Sequence, residues 1–372
     1  KLFTGMDSFS LMAVPFFMLA GTLMEKSGIT DILVNWAKSL VGHFKGGLGH
    51  ATIVTGVVMA GVSGSANADT SALASILVPI MRKDGYDDGY SCALVSSCGA
   101  LGPVIPPSIM MVLYSGVTSI AIGKLFMAGI IPGLVIAIGY MIVNGIYARK
   151  AGIPKSKFVG WKALGQDTLK ALPALIMPVI IIGGILSGAT TATEAGVVAC
   201  VYSIIYGFIR KTMNTKHVWE CFKDAVHGTT NCMIVVVFAG IFGTLATNYN
   251  LSKVVLAASQ VFHGNPYLIL IFISIILYIA GMFIDSNAAM LMLVPIFTPL
   301  IAAYGFDPIY FAMVCILTLD MGGMLMYISA CITDTPLEKV VRNIFKFITV
   351  NYSVTLLVIF IPALVTWLPS LM

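Results

Sequence analysis

Three stretches of this chain have room for little but membrane helix. Residues 125–148, 171–193 and 347–372 run for 24, 23 and 26 positions without a formal charge. About 20 apolar residues cross a bilayer as an α-helix. A soluble domain carries roughly 25% charged residues, whereas this chain of 372 residues carries 10% and is 58% hydrophobic. The 36 glycines and 16 prolines lie largely inside the apolar runs, where a membrane bundle tolerates them and a soluble helix would not. The net charge of +5 is no nucleic-acid signal, because the basic residues cluster in membrane-edge loops. An all-α polytopic membrane protein is expected.

Two small polar knots interrupt that apolar background. Residues 63–69 read Ser-Gly-Ser-Ala-Asn-Ala-Asp, and residues 285–288 read Asp-Ser-Asn-Ala. The arms of the first knot, 46–60 and 72–81, are each too short to span, so a re-entrant hairpin fits better than two crossings. The second knot sits likewise between 265–281 and 290–303. Backbone that leaves a helix in lipid must find partners in protein, water or bound ions. Paired polar breaks in equivalent places of two halves point to a transporter's binding site.

The chemistry of the knots supports that reading. Ser63, Ser65, Asn67 and Asp69 bring hydroxyl, amide and carboxylate oxygens within seven residues, and unwound backbone would add carbonyls. Such oxygen cages suit Na⁺, and half-helix N-termini suit an anionic substrate group. A charge in mid-membrane costs about 2.5–3.5 kcal/mol, so Asp69 and Asp285 need a reason to be there. The plainer alternative is that Asp69 caps the following helix and Ser65 satisfies a turn. A further break is expected at residues 102–107, Gly-Pro-Val-Ile-Pro-Pro, where proline removes donors and frees carbonyls; a simple kink is the alternative. Asp320 is a further buried carboxylate, with Thr318 or water as its expected partner. Glu194 is expected at the outer end of a span.

In chain order, residues 8–24 form a first span and 30–44 an amphipathic interfacial helix. Residues 90–101 and 108–117 flank the Gly-Pro break, and 125–148 cross. Residues 158–169 are a second interfacial candidate, 172–186 and 195–209 a membrane hairpin, 217–226 a polar segment and 228–246 a span. Residues 251–262 resemble 30–44, 309–328 cross with a break at Gly322-Gly323, and 345–368 close the chain. A shift of 220 superimposes the two knots: Gly61 meets Gly281, Asn67-Ala68 meets Asn287-Ala288, Pro79 meets Pro299, Tyr90 meets Tyr310 and Gly102 meets Gly322. The register then resumes at 214, pairing Met110 with Met324. That predicts six residues omitted between Gly322 and Gly323, counterparts of 103–108, with Cα atoms there farther apart than the usual ~3.8 Å. Five crossings separate the knots, so the copies are inverted. The resulting topology places 18 basic residues on one side against Lys1, Lys124 and Lys253 on the other, a strong positive-inside bias. The first repeat takes residues 1–117, with a core from about 46; linking scaffold spans take 118–227, and the second repeat takes 228–372.

Other function classes lack their marks. The seven cysteines show no C-x-x-C pairing and read as small buried residues. The five histidines have no metal spacing, and no G-x-S-x-G, Walker or Rossmann pattern occurs. An intramembrane enzyme would need such a constellation, and a channel-like pore would not need two occluding hairpins. The chain opens at Lys1 without an initiator methionine or signal-peptide pattern, so it is expected to begin part-way into a longer product.

Five segments carry a family resemblance: GVSGSANADTSALASILVP (61–79), GPVIPPSIM (102–110), KLFMAGIIPG (124–133), Thr193-Glu194-Ala195 and residues 281–299. They resemble the large membrane subunit of tripartite ATP-independent periplasmic (TRAP) transporters. The resemblance implies an inverted-repeat, elevator-type, Na⁺-coupled importer of organic acids, such as a C4-dicarboxylate or a sialic-acid-like carboxylate, in the bacterial inner membrane. Its implied partners, besides membrane lipid, are a small four-helix membrane subunit and a periplasmic substrate-binding protein. It implies a substrate region at Ser65, Asp69, Ser108 and Asp285, and a Na⁺ region at Ser63, Ser65, Asn67, Gly102, Pro106, Ser286, Asn287 and Gly322. This chain departs from the family in lacking residues before the first span. It also reads Met321-Gly322-Gly323-Met324 where a Thr-Pro-Pro segment is usual.

Overall fold

The computed structural model describes residues 9–155, 157–320 and 323–372, and among them no strand forms. A 3₁₀ turn at Phe9–Met12 leads into α1 (Ala13–Lys26), followed by α2 (Ile29–Val41), α3 (Gly47–Ser63), α4 (Ala66–Lys83), α5 (Asp88–Gly99) and α6 (Ile109–Thr118). The middle of the chain holds α7 (Ile122–Lys150), α8 (Trp161–Leu186), α9 (Ala192–Ile209) and α10 (Thr215–Asn248). Then come α11 (Leu251–Ser259), α12 (Pro266–Phe283), α13 (Ser286–Phe297), α14 (Pro299–Tyr304), α15 (Pro308–Leu319), α16 (Leu325–Thr333), α17 (Leu337–Phe360) and α18 (Ala363–Thr366). Six of the described helices, α7 to α10, α12 and α17, are long and apolar enough to cross a membrane.

The internal repeat is visible in the element boundaries. A shift of 220 carries α5 onto residues 308–319, the bounds of α15, and carries α4 onto 286–303, covered by α13 and α14. A shift of 214 then carries α6 onto 323–332 and α7 onto 336–364, within a few residues of α16 and α17. The start signals repeat as well. Asp87 caps α5 by accepting the Tyr90 amide at 2.9 Å, and Asp307 caps α15 by accepting the Tyr310 amide at 2.9 Å. Both tyrosines then turn inward to the helix beyond the break: the Tyr90 hydroxyl donates to Asn144 Oδ1 on α7, and Tyr310 to the Ile359 carbonyl on α17.

The two copies interlock rather than sit side by side. α5 packs along α17 and α15 along α7, while α4 packs on α16 and α13 on α6. Each hairpin therefore leans on the other repeat's broken helix. Every residue of α5 from Gly89 to Gly99 is buried, as is every residue of α15 from Tyr310 to Leu319. A helix buried on all sides must satisfy its own polar groups. Ser91, Ser96, Ser97 and Thr318 do so by donating to carbonyls four residues back.

Several boundaries differ from the sequence expectation. Residues 158–169 are not a separate interfacial helix; α8 begins at Trp161 and runs unbroken through them. The polar segment 217–226 and the span 228–246 form one helix of 34 residues, α10. The return arm of the second hairpin divides at Thr298, where Pro299 opens α14. Glu194 lies at one end of a spanning helix, where it completes a capping box with Thr191 at the start of α9. Of the seven free cysteines, six are buried and Cys331 is exposed. The expected omission at Gly322-Gly323 involves Gly322, which lies outside the described residues, as does Met321.

Replacing either Asp87 or Asp307 with alanine should cost about 1 kcal/mol of stability, the usual worth of a lost N-cap. Asparagine at either place should recover most of it. Thermal unfolding of the protein in detergent measures both effects.

Candidate functional site

The two hairpin tips are much tighter than the seven-residue unwound knot that the sequence suggested. In the first, α3 ends at Ser63 and α4 begins at Ala66, leaving only Gly64 and Ser65 outside helix. Gly64 has φ of +60° and lies so close to the Pro107 carbonyl that any Cβ there would collide with it. Both features demand glycine. Ser65 is the N-cap of α4, accepting the Ala68 amide at 3.5 Å. In the second tip Asp285 occupies the same place, accepting the amides of Asn287 at 3.0 Å and Ala288 at 3.2 Å. The repeat register thus pairs Asp285 with Ser65, and Asp69 with Ala289. The two aspartates at the breaks do different jobs, and the cap of the first tip is Ser65 rather than Asp69.

Asp69 is fully buried one turn into α4. Ser63 Oγ donates to its Oδ1 at 2.6 Å and accepts the Ser65 amide at 3.1 Å. The other carboxylate oxygen, Oδ2, is buried without a hydrogen-bond partner. Facing it is Gly102, where a Cβ would lie 3.2 Å from Asp69 Oδ2 and 3.1 Å from the Ala66 amide nitrogen. The connection between α5 and α6 is laced to this tip through the Ile109 amide, which donates to the Gly64 carbonyl at 3.3 Å. Ser108 shapes that connection from within: it donates to the Pro103 carbonyl at 2.6 Å and caps α6 through the Met111 amide. Pro106 is buried, with its carbonyl oxygen behind Gly61.

The second tip builds a comparable junction from the opposite side. Ser286 Oγ lies 3.2 Å from the Leu319 carbonyl and 3.4 Å from Asp320 Oδ1. Among the described residues, Asp320 Oδ2 is buried without a partner, like Asp69 Oδ2. Ser286, rather than the expected Thr318, is its neighbour; Thr318 bonds the Val314 carbonyl. Gly281 and Gly323 let the hairpin close on the Leu319 carbonyl and on Met282. Each hairpin–break junction therefore holds one carboxylate with a serine hydroxyl on one oxygen and, among the described residues, no partner on the other. The hairpin supplies that carboxylate in the first copy and the broken helix supplies it in the second. Gly322, expected at this junction, is outside the described residues.

The tips meet. Ser65, Asn67, Asp285, Ser286, Asn287 and Asp320 share the lining of a cavity of about 80 Å³. A larger cavity of about 480 Å³ extends from the same tips towards α1 and α10. Its far wall includes Thr22, Asp224 and Asn231, which sequence reasoning passed over. The signal was present: Asp224, Gly228, Asn231 and Val235 line the cavity at helical spacing, and dividing α10 at residue 227 had hidden the stripe. Among the described residues lining the two cavities there is no lysine, arginine or histidine. An anion there would be met by the N-termini of α4 and α13 and by asparagine amides.

Two interlocked helical halves whose hairpin tips converge on one polar cavity define an integral-membrane permease. The chain belongs to the family described as the DctM component of tripartite ATP-independent periplasmic transporters, matched over residues 1–364. It is 35% identical to the sialic acid TRAP transporter large permease protein SiaM of Vibrio cholerae, covering 100% of this chain and 88% of the relative. It is 34% identical to the 2,3-diketo-L-gulonate large permease YiaN of Escherichia coli, with 98% and 87% covered. The C4-dicarboxylate large permease DctM of Pseudomonas aeruginosa is 32% identical, with 100% and 88% covered. The fold resembles that of the Alcanivorax borkumensis YdaH transporter, with a TM-score of 0.66 at 12% identity over 96% of this chain and 86% of that one. The protein is accordingly a multi-pass component of the bacterial inner membrane, and a transporter subunit rather than an enzyme.

Because Ser65 and Asp285 hold equivalent caps, Asp285→Ser should leave the second hairpin as stable as in the natural protein. Asp285→Ala should cost about 1 kcal/mol. Protease resistance of the membrane-inserted protein and its melting temperature in detergent report both. Equal loss in the two variants would mean that Asp285 does more than cap.

Proposed function

We propose that this chain is the transport subunit of a Na⁺-coupled importer of an organic acid, in which the hairpins and broken helices move together against a static frame. The observation that carries this reading is the pair of buried carboxylates, Asp69 and Asp320, each with one oxygen bonded and one left without a partner at a hairpin–break junction. A buried polar atom without a partner is costly, and a bound cation removes that cost. The donors at hand are carboxylate, hydroxyl and backbone oxygens, the set that suits a hard, weakly charged cation. In the first junction Ser63, Asp69 and the backbone around Gly102 would hold Na⁺; in the second, Ser286, Asp320 and the Leu319 carbonyl would do so. When bound, the ion supplies positive charge beside the common cavity, where no basic side chain stands among the described residues.

The substrate class follows from the same cavity. A carboxylate placed between the tips meets two helix N-termini and the amides of Asn67 and Asn287. The relatives are named for sialic acid, a C4-dicarboxylate and diketogulonate, and each of these bears a carboxylate. A periplasmic substrate-binding protein would deliver the acid and a small four-helix membrane subunit would complete the frame, in keeping with the tripartite family.

Proteoliposomes carrying the complete system test the reading. Uptake of the organic acid should saturate and should vanish when the Na⁺ gradient is collapsed. Asp69→Asn and Asp320→Asn should each lower uptake by at least tenfold while the protein remains membrane-inserted. Uptake that persists undiminished in both variants, or without Na⁺, would overturn it. Movement is tested separately. In a background without native cysteines, Ala68→Cys and Ala225→Cys face one cavity from the tip and from α10. Their cross-linking yield should change between Na⁺-loaded and Na⁺-free conditions; one invariant yield would exclude rigid-body motion.

A further inference from the structure

A second large cavity, of about 630 Å³, lies away from the hairpin tips, where α2 meets the start of α8 and the end of α9. Lys38, Lys157, Lys170 and Arg210 line it, with Asp84 and Asp167. All four cations belong to the side that the positive-inside bias marks as cytoplasmic. Asp167 is already engaged, accepting from Ser39 Oγ and lying 3.7 Å from Lys170 Nζ. Lys38, Lys157 and Arg210 make no ion pair among the described residues. Three cations without paired counter-charges thus face one cleft, with Asp84 the acid left beside them.

The internal repeat provides a comparison for this corner. Under the shift of 220, Ser39 corresponds to Ser259, Lys38 to Ala258 and Asp84 to Tyr304. In the second copy the corner is shut: the Ser259 and Tyr304 hydroxyls lie 2.8 Å apart, and the Tyr304 ring packs on Phe306. In the first copy the same corner is open and cationic. Val159 lines it and is 53% exposed, and beside Val159 the rings of Phe44, His43, Phe158 and Trp161 touch in series, with Phe44 52% and Trp161 80% exposed. Basic groups under an aromatic rim at the cytoplasmic boundary match the layout of an anionic phospholipid, phosphate inward and acyl chains outward.

We propose that this cleft binds the headgroup of an anionic phospholipid from the cytoplasmic leaflet. Lys38, Lys157 and Arg210 receive the phosphate, and the acyl chains lie over the rim formed by Phe44, Val159 and Trp161. The lipid would brace α2 against α8, adding to the Trp36–Thr168 and Ser39–Asp167 hydrogen bonds that already join them. That brace matters because α2 is jointed at both ends by left-handed glycines, Gly28 and Gly46, each with φ of +75°, and leads directly into the first hairpin.

The test compares additives on the thermal unfolding of the full-length protein in neutral detergent. Phosphatidylglycerol should raise the midpoint clearly above the values with phosphatidylcholine or with inorganic phosphate. The triple variant Lys38→Gln, Lys157→Gln, Arg210→Gln should lose most of that increase. Arg210 is exposed and makes no ion pair among the described residues, so Arg210→Gln alone threatens no packing; it should lose a measurable share, keeping the test decisive if the triple variant fails to fold. An equal shift with inorganic phosphate would make this a soluble-anion site and overturn the proposal. So would a phosphatidylglycerol response that is absent, or that Arg210→Gln leaves unchanged.

Discussion

A hairpin that turns inside a membrane has to satisfy its own turn, because the surrounding lipid offers no hydrogen bonds. Everything central in this structure follows from how the two turns are satisfied. Each is reduced to two residues between helices, each is capped by a single side chain at the equivalent position, and each is pressed against a broken helix that closes the remaining exposed backbone. Gly64, Gly102, Gly281 and Gly323 are the points of closest approach. They bring the breaks near enough for one carboxylate to be enclosed at each junction. The polar cavity between the tips is what remains when two such turns are brought face to face.

Much of this was legible in the sequence because lipid simplifies the problem. Long uncharged runs leave helix as the outcome, and the punctuating glycines, prolines and aspartates repeat at 220 residues, so the hairpins, the breaks and their correspondence could be read directly. The boundaries between amphipathic and spanning segments were less legible. Residues 158–169 look interfacial and 217–226 look like a separate polar segment, yet 161–169 open α8 and 217–226 lie within α10, since a helix leaving the bilayer need not stop at its edge. The roles of the site aspartates were hidden for a different reason. Asp69 and Asp285 look alike in sequence, but capping depends on one residue of register, and the orphaned oxygen of Asp320 depends on where Ser286 comes to rest. Neither is a property of local sequence.

The departures from internal symmetry are as informative as the symmetry. Where the two copies agree, at Asp87 and Asp307 or Tyr90 and Tyr310, the residues end helices and tie them to the next element, as a shared fold requires. Among the places where they differ are several charges: Asp69 against Ala289, Asp320 against Ala100, Lys38 against Ala258 and Asp84 against Tyr304. An inverted repeat gives both halves one scaffold but sets them towards opposite faces of the membrane, so a charge placed for one face has no reason to recur in the other copy.

The same contrast bears on how the core could move. Interlocking α4 with α16 and α13 with α6 ties each tip to the other repeat, as the proposed joint movement of hairpins and broken helices requires. A bound ion at either junction would tighten a contact that already spans a hairpin and a break, and would stiffen both halves at once. The larger cavity is walled on its far side by α1 and α10, which pack along each other; α1 also packs against α9 and α3, and α10 against α13. Its far wall is thus tied both to the outer helix α9 and to the arms of the two hairpins. A ligand held there touches the interlocked tips on one side and α1 and α10 on the other, so in the proposed mechanism it is at the α10–α13 and α1–α3 contacts that a moving core would have to part from its frame.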